Sequence, residues 1–274
     1  MTWWAVDARP ASERRAAVGE WLVSRTGQAI EERGDGTLVT FAASEPEAHA
    51  LVAELEREQQ VPAGCRPLQQ VDWSVAWREG IESRTFGRLI VSPSWLATAD
   101  ADPLTVVIDP ESAFGSGEHG STRAALTLLE RHLAPGDHVL DLGSGSGILA
   151  IAAGRLGAGR AVGIELDPES NLIAARNAER NGVSGRVRFL EGDAGALAPL
   201  LGPVDLLLSN ILRTVNVALL PAIYAALRPG GTAIFSGMES GEAPLFRAEL
   251  PRAGFSEVEM VEDGGWWAVA ARRG

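Results

Sequence analysis

From Asp137 onward, short apolar runs alternate with stretches in which apolar residues recur every three to four positions. Runs of the first kind predict strands at 138–142, 160–165, 186–190, 204–209 and 231–236. The second kind predicts helices at 147–157, 168–181, 215–228 and 240–253, with a short turn near 194–201. Punctuation agrees with this reading. Asp167 and Pro168 suit a helix start, Asn181-Gly182 a helix end, and Pro229-Gly-Gly231 a stop. Ser256–Val261 and Trp266–Ala270, around Asp263-Gly-Gly265, read as a terminal antiparallel pair. Alternation of this kind predicts an α/β domain with a mostly parallel sheet covered by helices on both faces. Ligands of such sheets sit beyond the carboxyl ends of the strands.

The first hundred residues have a different rhythm. Residues 2–8 read as a strand. Residues 11–26 place Ala17, Val18, Trp21 and Leu22 on one helical face. Strands at 29–32 and 37–42 flank Gly34-Asp-Gly36, a hairpin signal. Glu45–Gln59 carries Ala48, Leu51, Val52 and Leu55 at helical spacing, and Pro67–Trp73 reads as a last strand. The order β-α-β-β-α-β is that of a small ferredoxin-like α+β domain, which by itself implies no function. Trp3, Trp4, Trp21, Trp73 and Trp77 are expected mainly in packing. Phe86–Val91 reads as one strand, Ser92-Pro-Ser-Trp95 as a turn, and Thr105–Ile108 as another strand. The domain boundary is therefore placed at 95/96, with a linker inside 1–95 and the α/β domain at 96–274. Residues 109–122 form a glycine-rich loop ahead of a helix at Arg123–His132, with Ser121 or Thr122 as its cap.

Composition narrows the function classes. The first 20 residues carry five charges before Val18, which argues against a secretory leader, and no apolar stretch approaches the ~20 residues of a membrane span. A single cysteine, Cys65, excludes an internal disulfide framework and a multi-cysteine metal site. A cytoplasmic protein without a metal is expected. Net charge is -12, with 10 Arg against 15 acids in residues 1–100 and 14 against 21 after them. Neither part suits a phosphate backbone, so no direct nucleic-acid partner is expected and a cationic partner fits better. All 24 cationic residues are arginine, which fits a GC-rich coding bias.

The chemistry centres on Val139-Leu-Asp-Leu-Gly-Ser-Gly-Ser-Gly-Ile-Leu-Ala-Ile-Ala-Ala153. Gly143, Gly145 and Gly147 let the backbone turn sharply and approach a ligand at a helix start. A dinucleotide loop spaces its glycines G-x-G-x-x-G, whereas the third glycine here comes one residue early. Asp141 inside the approach would repel a pyrophosphate and accommodate the cationic amino-acid end of S-adenosylmethionine. Glu165, ending the second strand, is placed to accept from ribose hydroxyls, a feature shared by both cofactor classes. Asp193, in Glu191-Gly-Asp193, is placed to read an adenine amino group. The methyl donor is the favoured ligand; a nicotinamide dinucleotide and a loop with no ligand stay open on these residues alone.

Four stretches carry a resemblance that spans nearly the whole chain and is densest over 86–236: Phe86-Gly-Arg-Leu-Ile-Val-Ser-Pro-Ser-Trp95, Asp109-Pro-Glu-Ser-Ala-Phe-Gly-Ser-Gly-Glu-His119, Asp141–Ile151 and Asn210-Ile-Leu212. Together they resemble the ribosomal protein L11 methyltransferase family. The resemblance implies a ferredoxin-like recognition domain before a Rossmann-like methyltransferase domain, S-adenosylmethionine as cofactor, and a large-subunit ribosomal protein, methylated on lysine and terminal amines, as partner. It assigns cofactor contacts to Thr122, Gly143, Glu165 and Asn210. The family's Gly-Thr-Gly-Thr-His-Pro-Thr-Thr is here Gly-Ser-Gly-Glu-His-Gly-Ser-Thr, so Glu118 adds a charge and Gly120 is expected to loosen the loop. Glu165 stands where aspartate is commoner.

Methyl transfer to an amine is an in-line displacement in which positioning supplies most of the gain. Asn210, ending the fourth strand, is placed to accept the amine's hydrogens and aim its lone pair, and to touch the cofactor. His119 is placed either to accept the proton or to order the loop, and Glu118 either to attract a cationic substrate or to be solvated. Phe114 is placed to line the methionine pocket or to pack on the linker. Two other functions remain open: methylation of another protein or small-molecule amine, and a cofactor-binding interaction module without catalysis.

Overall fold

The protein, seen as a computed structural model, is described over residues 3–26, 30–67, 82–98 and 102–274. It divides into two compact units, Met1–Ala76 and Trp77–Gly274.

In the first unit, β1 (Trp4–Ala8) leads through a single 3-10 turn into α1 (Arg15–Thr26). Then come β2 (Glu31–Glu32), β3 (Leu38–Ala42), α2 (Glu45–Glu54) and β4 (Ala63–Pro67). The sheet order is β2-β3-β1-β4 with every neighbouring pair antiparallel, the topology of a ferredoxin-like fold. Val6 and Ala8 on β1 meet Val18 and Leu22 on α1, and Ala48 and Leu51 on α2. Ser44 starts α2 by accepting from Glu47 N, with Pro46 in the first turn. The last strand comes earlier than the apolar pattern predicts. Gln60 enters the left-handed region at φ 52° and ends the helical stretch, so extension begins at once. The rest of the predicted strand, with Trp73 and Trp77, lies outside the described residues.

The second unit begins with β5 (Arg84–Phe86), β6 (Leu89–Ser92) and β7 (Thr105–Val107), which form a small sheet of their own. The single strand expected at 86–91 is thus a hairpin that turns at Gly87. Because β6 pairs with β7, the boundary read at 95/96 falls inside this unit. The main run continues with α3 (Gly120–His132), β8 (His138–Leu142), α4 (Ile148–Leu156), β9 (Arg160–Glu165), α5 (Pro168–Arg180) and β10 (Val187–Glu191). It ends with α6 (Ala194–Leu201), β11 (Val204–Asn210), α7 (Arg213–Ala226), β12 (Leu227–Glu239), α8 (Ala243–Glu249), β13 (Phe255–Asp263) and β14 (Trp266–Arg273). Seven strands form one sheet in the order β10-β9-β8-β11-β12-β14-β13. The first five are parallel, and the last two join antiparallel. This is the Rossmann-like methyltransferase architecture. Alternate residues feed two cores: Val139, Leu206 and Leu208 face one, Leu140, Leu142 and Leu207 the other.

Two details differ from the sequence reading. Residues 194–201 form a helix rather than a turn, because Asp193 accepts from Ala196 N at 2.9 Å and caps it. The helix expected at 240–253 is broken into a 3-10 turn, α8 and a second 3-10 turn at Pro251–Ala253. Among the described residues, no helix is long and apolar enough to cross a membrane.

One packing device positions the site. Asn181, at the C-terminal cap of α5, accepts from Val107 N at 2.8 Å and donates to Val107 O at 2.7 Å. One turn earlier, Asn177 accepts from Asp109 N and donates to Asp109 O and Ser146 O, at 3.0–3.2 Å. Two side-chain amides therefore stand in for a neighbouring strand along 107–109 and satisfy backbone groups that burial would otherwise leave unpaired. The loop that follows, 109–119, leaves the sheet from a fixed point.

Candidate active site

At the carboxyl ends of the parallel strands lies a cleft of about 620 Å³, the place where open α/β sheets bind ligands. Its floor is the β8–α4 turn. Gly143, Gly145 and Gly147 all have positive φ, at 68°, 51° and 82°. Gly145 N donates to Glu165 Oε2 at 3.0 Å. Ser146 N donates to Phe114 O at 2.9 Å, and Ser146 Oγ to Gly115 O at 2.5 Å. The glycine turn and the 109–119 loop are thereby bonded to each other. A Cβ on Gly145 would stand 2.5 Å from Phe114 O, so the approach of the two loops requires glycine there.

Glu165 closes one side. Its Oε1 accepts from Leu166 N at 2.8 Å and Asp167 N at 3.1 Å, while Oε2 holds the glycine turn. The longer side chain lets this carboxylate fold back on its own strand end. Asp193 lines the same wall; its Oδ1 is used by Ala196 N.

Asp141 lies beneath the turn and does not line the cleft. Its Oδ2 accepts from Ala150 N at 3.1 Å, and Oδ1 has no hydrogen-bond partner. Burial pushes its carboxyl up to about 7, against the lowering effect of Ala150 N and with some further raising by the Glu165 charge. A folded-state value above the unfolded one means that the folded protein holds the extra proton between roughly pH 4 and 7. This contribution to stability is complete at the acid end of that window and is lost as pH rises through it. Asp141→Asn should therefore flatten the decline, so that its stability relative to wild type improves by about 1 kcal/mol per pH unit from pH 5 towards 7. Urea unfolding of the ligand-free protein at several pH values checks this; a pH-independent difference would place the proton elsewhere.

The opposite wall comes from α3, β11 and the β13–β14 turn. Asn210 ends β11 and lines the cleft; its Nδ2 donates to Thr122 Oγ1 at 3.3 Å, and its Oδ1 is buried without a partner. Thr122 is fully buried behind it. His119 lies against Trp266, with ring centroids 4.1 Å apart, and its Nδ1 pairs with Ser121 Oγ at 2.7 Å. Burial, helped by the nearby Arg123 charge, holds the imidazole below its usual pKa and hence neutral at pH 7.

Three expectations are corrected here. Neither Ser121 nor Thr122 caps α3: the helix starts at Gly120, with His119 at the cap position and no side-chain cap bond. Glu118 is neither free for a substrate nor solvated, because both oxygens are engaged. It accepts from Arg84 Nε at 2.8 Å, from Arg84 Nη2 at 2.5 Å and from Glu82 N at 3.0 Å. These partners lower its carboxyl pKa despite desolvation, which acts the other way. Arg123 adds a bond to Glu118 O and a bidentate pair with Asp263. Gly120 does not loosen the loop either. A Cβ there would meet Asp263 O at 2.4 Å and Trp266 Cδ1 at 2.7 Å, so the missing side chain admits the β13–β14 turn.

Of the residues singled out from sequence, His119, Gly143, Gly145, Glu165, Asp193 and Asn210 line the cleft. Thr122, Asp141 and Gly147 sit behind them. Phe114 also lines the cleft and is more than half exposed. Sequence reasoning missed Trp266, Val215 and Gly237, which also line the cleft, and Leu212 lines it at the end of the Asn210-Ile-Leu212 stretch. Trp266 sits beside the Gly264-Gly265 turn, but nothing local in Val215 or Gly237 marks them as cleft residues. The lining includes the acids Glu165 and Asp193 and, among the described residues, no arginine. Asp141 Oδ1, Ser144 Oγ and Asn210 Oδ1 are buried acceptors left without partners. These acids and acceptors fit a nucleoside bearing a positive charge and do not fit a pyrophosphate.

The chain matches the family model described as ribosomal protein L11 methyltransferase (PrmA) over residues 12–274. A protein of that description from Pelotomaculum thermopropionicum is 40% identical over 259 residues, which cover 92% of this chain and 83% of that protein. One from Thermus thermophilus is 45% identical over 202 residues, covering 74% and 78%. Among solved structures, the crystal structure of a ribosomal protein L11 methylase from Lactobacillus delbrueckii subsp. bulgaricus matches with a TM-score of 0.63 at 29% identity. The match covers 70% of this chain and all of that one.

Proposed function

This chain belongs to the ribosomal protein L11 methyltransferase family, and from that premise we propose that it transfers methyl groups from S-adenosylmethionine to lysine and terminal amines of ribosomal protein L11. The observation that carries the reading is Asn210 Oδ1, a buried acceptor without a partner at the rim of a cleft walled by Glu165 and the glycine turn. Such an atom is costly unless a donor from a ligand meets it. An acceptor on the ribosome fits a cytoplasmic location.

S-adenosylmethionine, when bound, supplies an electrophilic methyl group on a sulfonium that is its own leaving group. Glu165 Oε2, which has one lone pair beyond the bond from Gly145 N, would accept from a ribose hydroxyl, and Asp193 Oδ2 from the adenine amino group. A cation above the turn would favour the ionised form of the buried Asp141. Asn210 Oδ1 would accept a hydrogen from the neutral acceptor amine and fix the direction of its lone pair. A lysine amine has a pKa of about 10.4, so it must shed a proton before attack. An apolar rim of Phe114, Leu212 and Val215 disfavours the ammonium form. His119 is held neutral, and in the tautomer whose Nδ1–H donates to Ser121 Oγ its Nε2 would accept that proton.

Tritiated methyl transfer into purified ribosomal protein L11 tests the reading. Label in L11, with mass shifts on amines, is expected; label only in another ribosomal protein or in a small amine would reassign the substrate. Glu165→Ala should weaken S-adenosylmethionine binding by about 1.5–3 kcal/mol, the range for hydrogen bonds to a charged group. Calorimetry measures this, and an unchanged affinity would mean that the carboxylate serves only the loop.

The ferredoxin-like unit is read as the part that recognises the protein substrate, since among the described residues those lining the cleft lie between Phe114 and Trp266. Photo-crosslinkers placed in the first unit should capture L11. Crosslinks confined to the second unit would refute this division.

A further inference from the structure

We infer that Asn216, with Ser236, is a positioning residue that sets Asn210 and His119 at a fixed distance from each other. The inference rests on the proposed role of Asn210. Asn216 lies in the first turns of α7, fully buried, and reaches both sequence neighbours of Asn210. Its Oδ1 accepts from Ser209 Oγ at 2.6 Å, and its Nδ2 donates to Ile211 O at 2.9 Å. The second hydrogen of the same amide goes to Ser236 O at 3.0 Å. Ser236 is also fully buried, and its hydroxyl donates to Ser121 O at 2.8 Å. Ser121 in turn pairs through its own hydroxyl with His119 Nδ1.

A continuous buried run therefore joins the two residues at the cleft: the flanks of Asn210, then Asn216, Ser236, Ser121 and His119. Both donor hydrogens of the Asn216 amide are used, which fixes the orientation of the group. The end of β12 is pressed against the same spot. Gly237 has a φ of 82°, and a Cβ there would stand 2.4–2.7 Å from the backbone N, C and O of Ile211. The backbone at 210–211 is thus gripped from two sides, while the unpartnered Oδ1 of Asn210 stays at the cleft. A polar side chain that reaches both neighbours of one residue, and also the strand bonded to the second one's helix, acts on their relative placement.

A double-mutant cycle separates this role from general support of the fold. Asn216→Ala should lower the single-turnover rate of methyl transfer to L11 by roughly 10–100-fold, the scale of a misplacement of about 1 Å, with cofactor affinity changed by less than about threefold. In an Asn210→Ala background, the same substitution should change the rate by no more than about twofold, since the group it positions is gone. Independent, multiplying losses would overturn the inference, as would a wild-type rate in Asn216→Ala. Ser236→Ala, which removes one oxygen, provides the same cycle if Asn216→Ala does not fold. A second measurement does not depend on the substrate. The side-chain amide resonances of Asn210, identified by their loss in Asn210→Ala, should shift or broaden in Asn216→Ala or Ser236→Ala. Unmoved resonances would overturn the inference. Absence of methyl transfer to L11 by the wild type would instead refute the substrate reading, and the resonances would still decide the positioning role.

Discussion

Asn210→Ala is expected to lower the single-turnover rate of methyl transfer by roughly 10²–10³-fold at saturating cofactor, the scale of losing one preorganised hydrogen-bond partner. The reason is local. Thr122 anchors the amide nitrogen and leaves Oδ1 as the acceptor at the cleft. An interaction made mainly in the transition state affects the chemical step more than the dissociation constant. A smaller loss of cofactor affinity is expected as well, since the side chain borders the same cleft. In wild type and variant alike, the rate should rise with pH as the acceptor amine loses its proton. A variant with the wild-type single-turnover rate would remove Asn210 from the mechanism and leave the amine to backbone carbonyls and the His119 loop.

Gly145→Ala should have the largest effect on the protein as a whole. The backbone there sits at φ 51°, and an added Cβ would lie 2.5 Å from Phe114 O, an atom of the main chain. Left-handed strain of ~1–3 kcal/mol adds to the cost of overpacking, so a stability loss of about 2–5 kcal/mol is expected. Relief would require the glycine turn and the 109–119 loop to part, which breaks the bond from Gly145 N to Glu165. Binding of S-adenosylmethionine should fall below detection by calorimetry even where the variant remains folded. Unfolding at the wild-type denaturant midpoint with intact binding would mean that the two loops have room that the distances deny.

The sequence was legible where function is written locally. The glycine turn, Glu165 and Asn210 each follow a strand that its apolar run announces, and the α/β rhythm put those strand ends at one edge. The Asp167 cap and the Asn181-Gly182 end were legible for the same reason. What stayed hidden depends on partners distant in the chain. Glu118 looked free because its partner Arg84 is 34 positions away. Gly120 looked permissive because the atoms that need its space belong to Asp263 and Trp266. Thr122 and Asp141 belong to matching motifs, but only packing shows that they stand one layer behind the cleft. Asn216 gave no signal at all: a polar residue in a helix is usually solvated, and its burial is decided by Ser209 and Ser236.

The β13–β14 turn also bears on timing. Trp266 packs against His119, and Asp263 holds Arg123, yet both are made after nearly all the rest of the site. A ribosome adds about 5–20 residues per second, and domains fold as they emerge. The last strand supplies Trp267, Val269 and Ala271 to one core, Ala268 and Ala270 to the other, and Trp266 to the cleft, so the unit can close only once the hairpin has emerged. An unfinished copy is therefore expected not to sequester cofactor. Chains stalled before Asp263 emerges should fail to retain labelled cofactor, and chains extended past Arg273 by a linker should retain it.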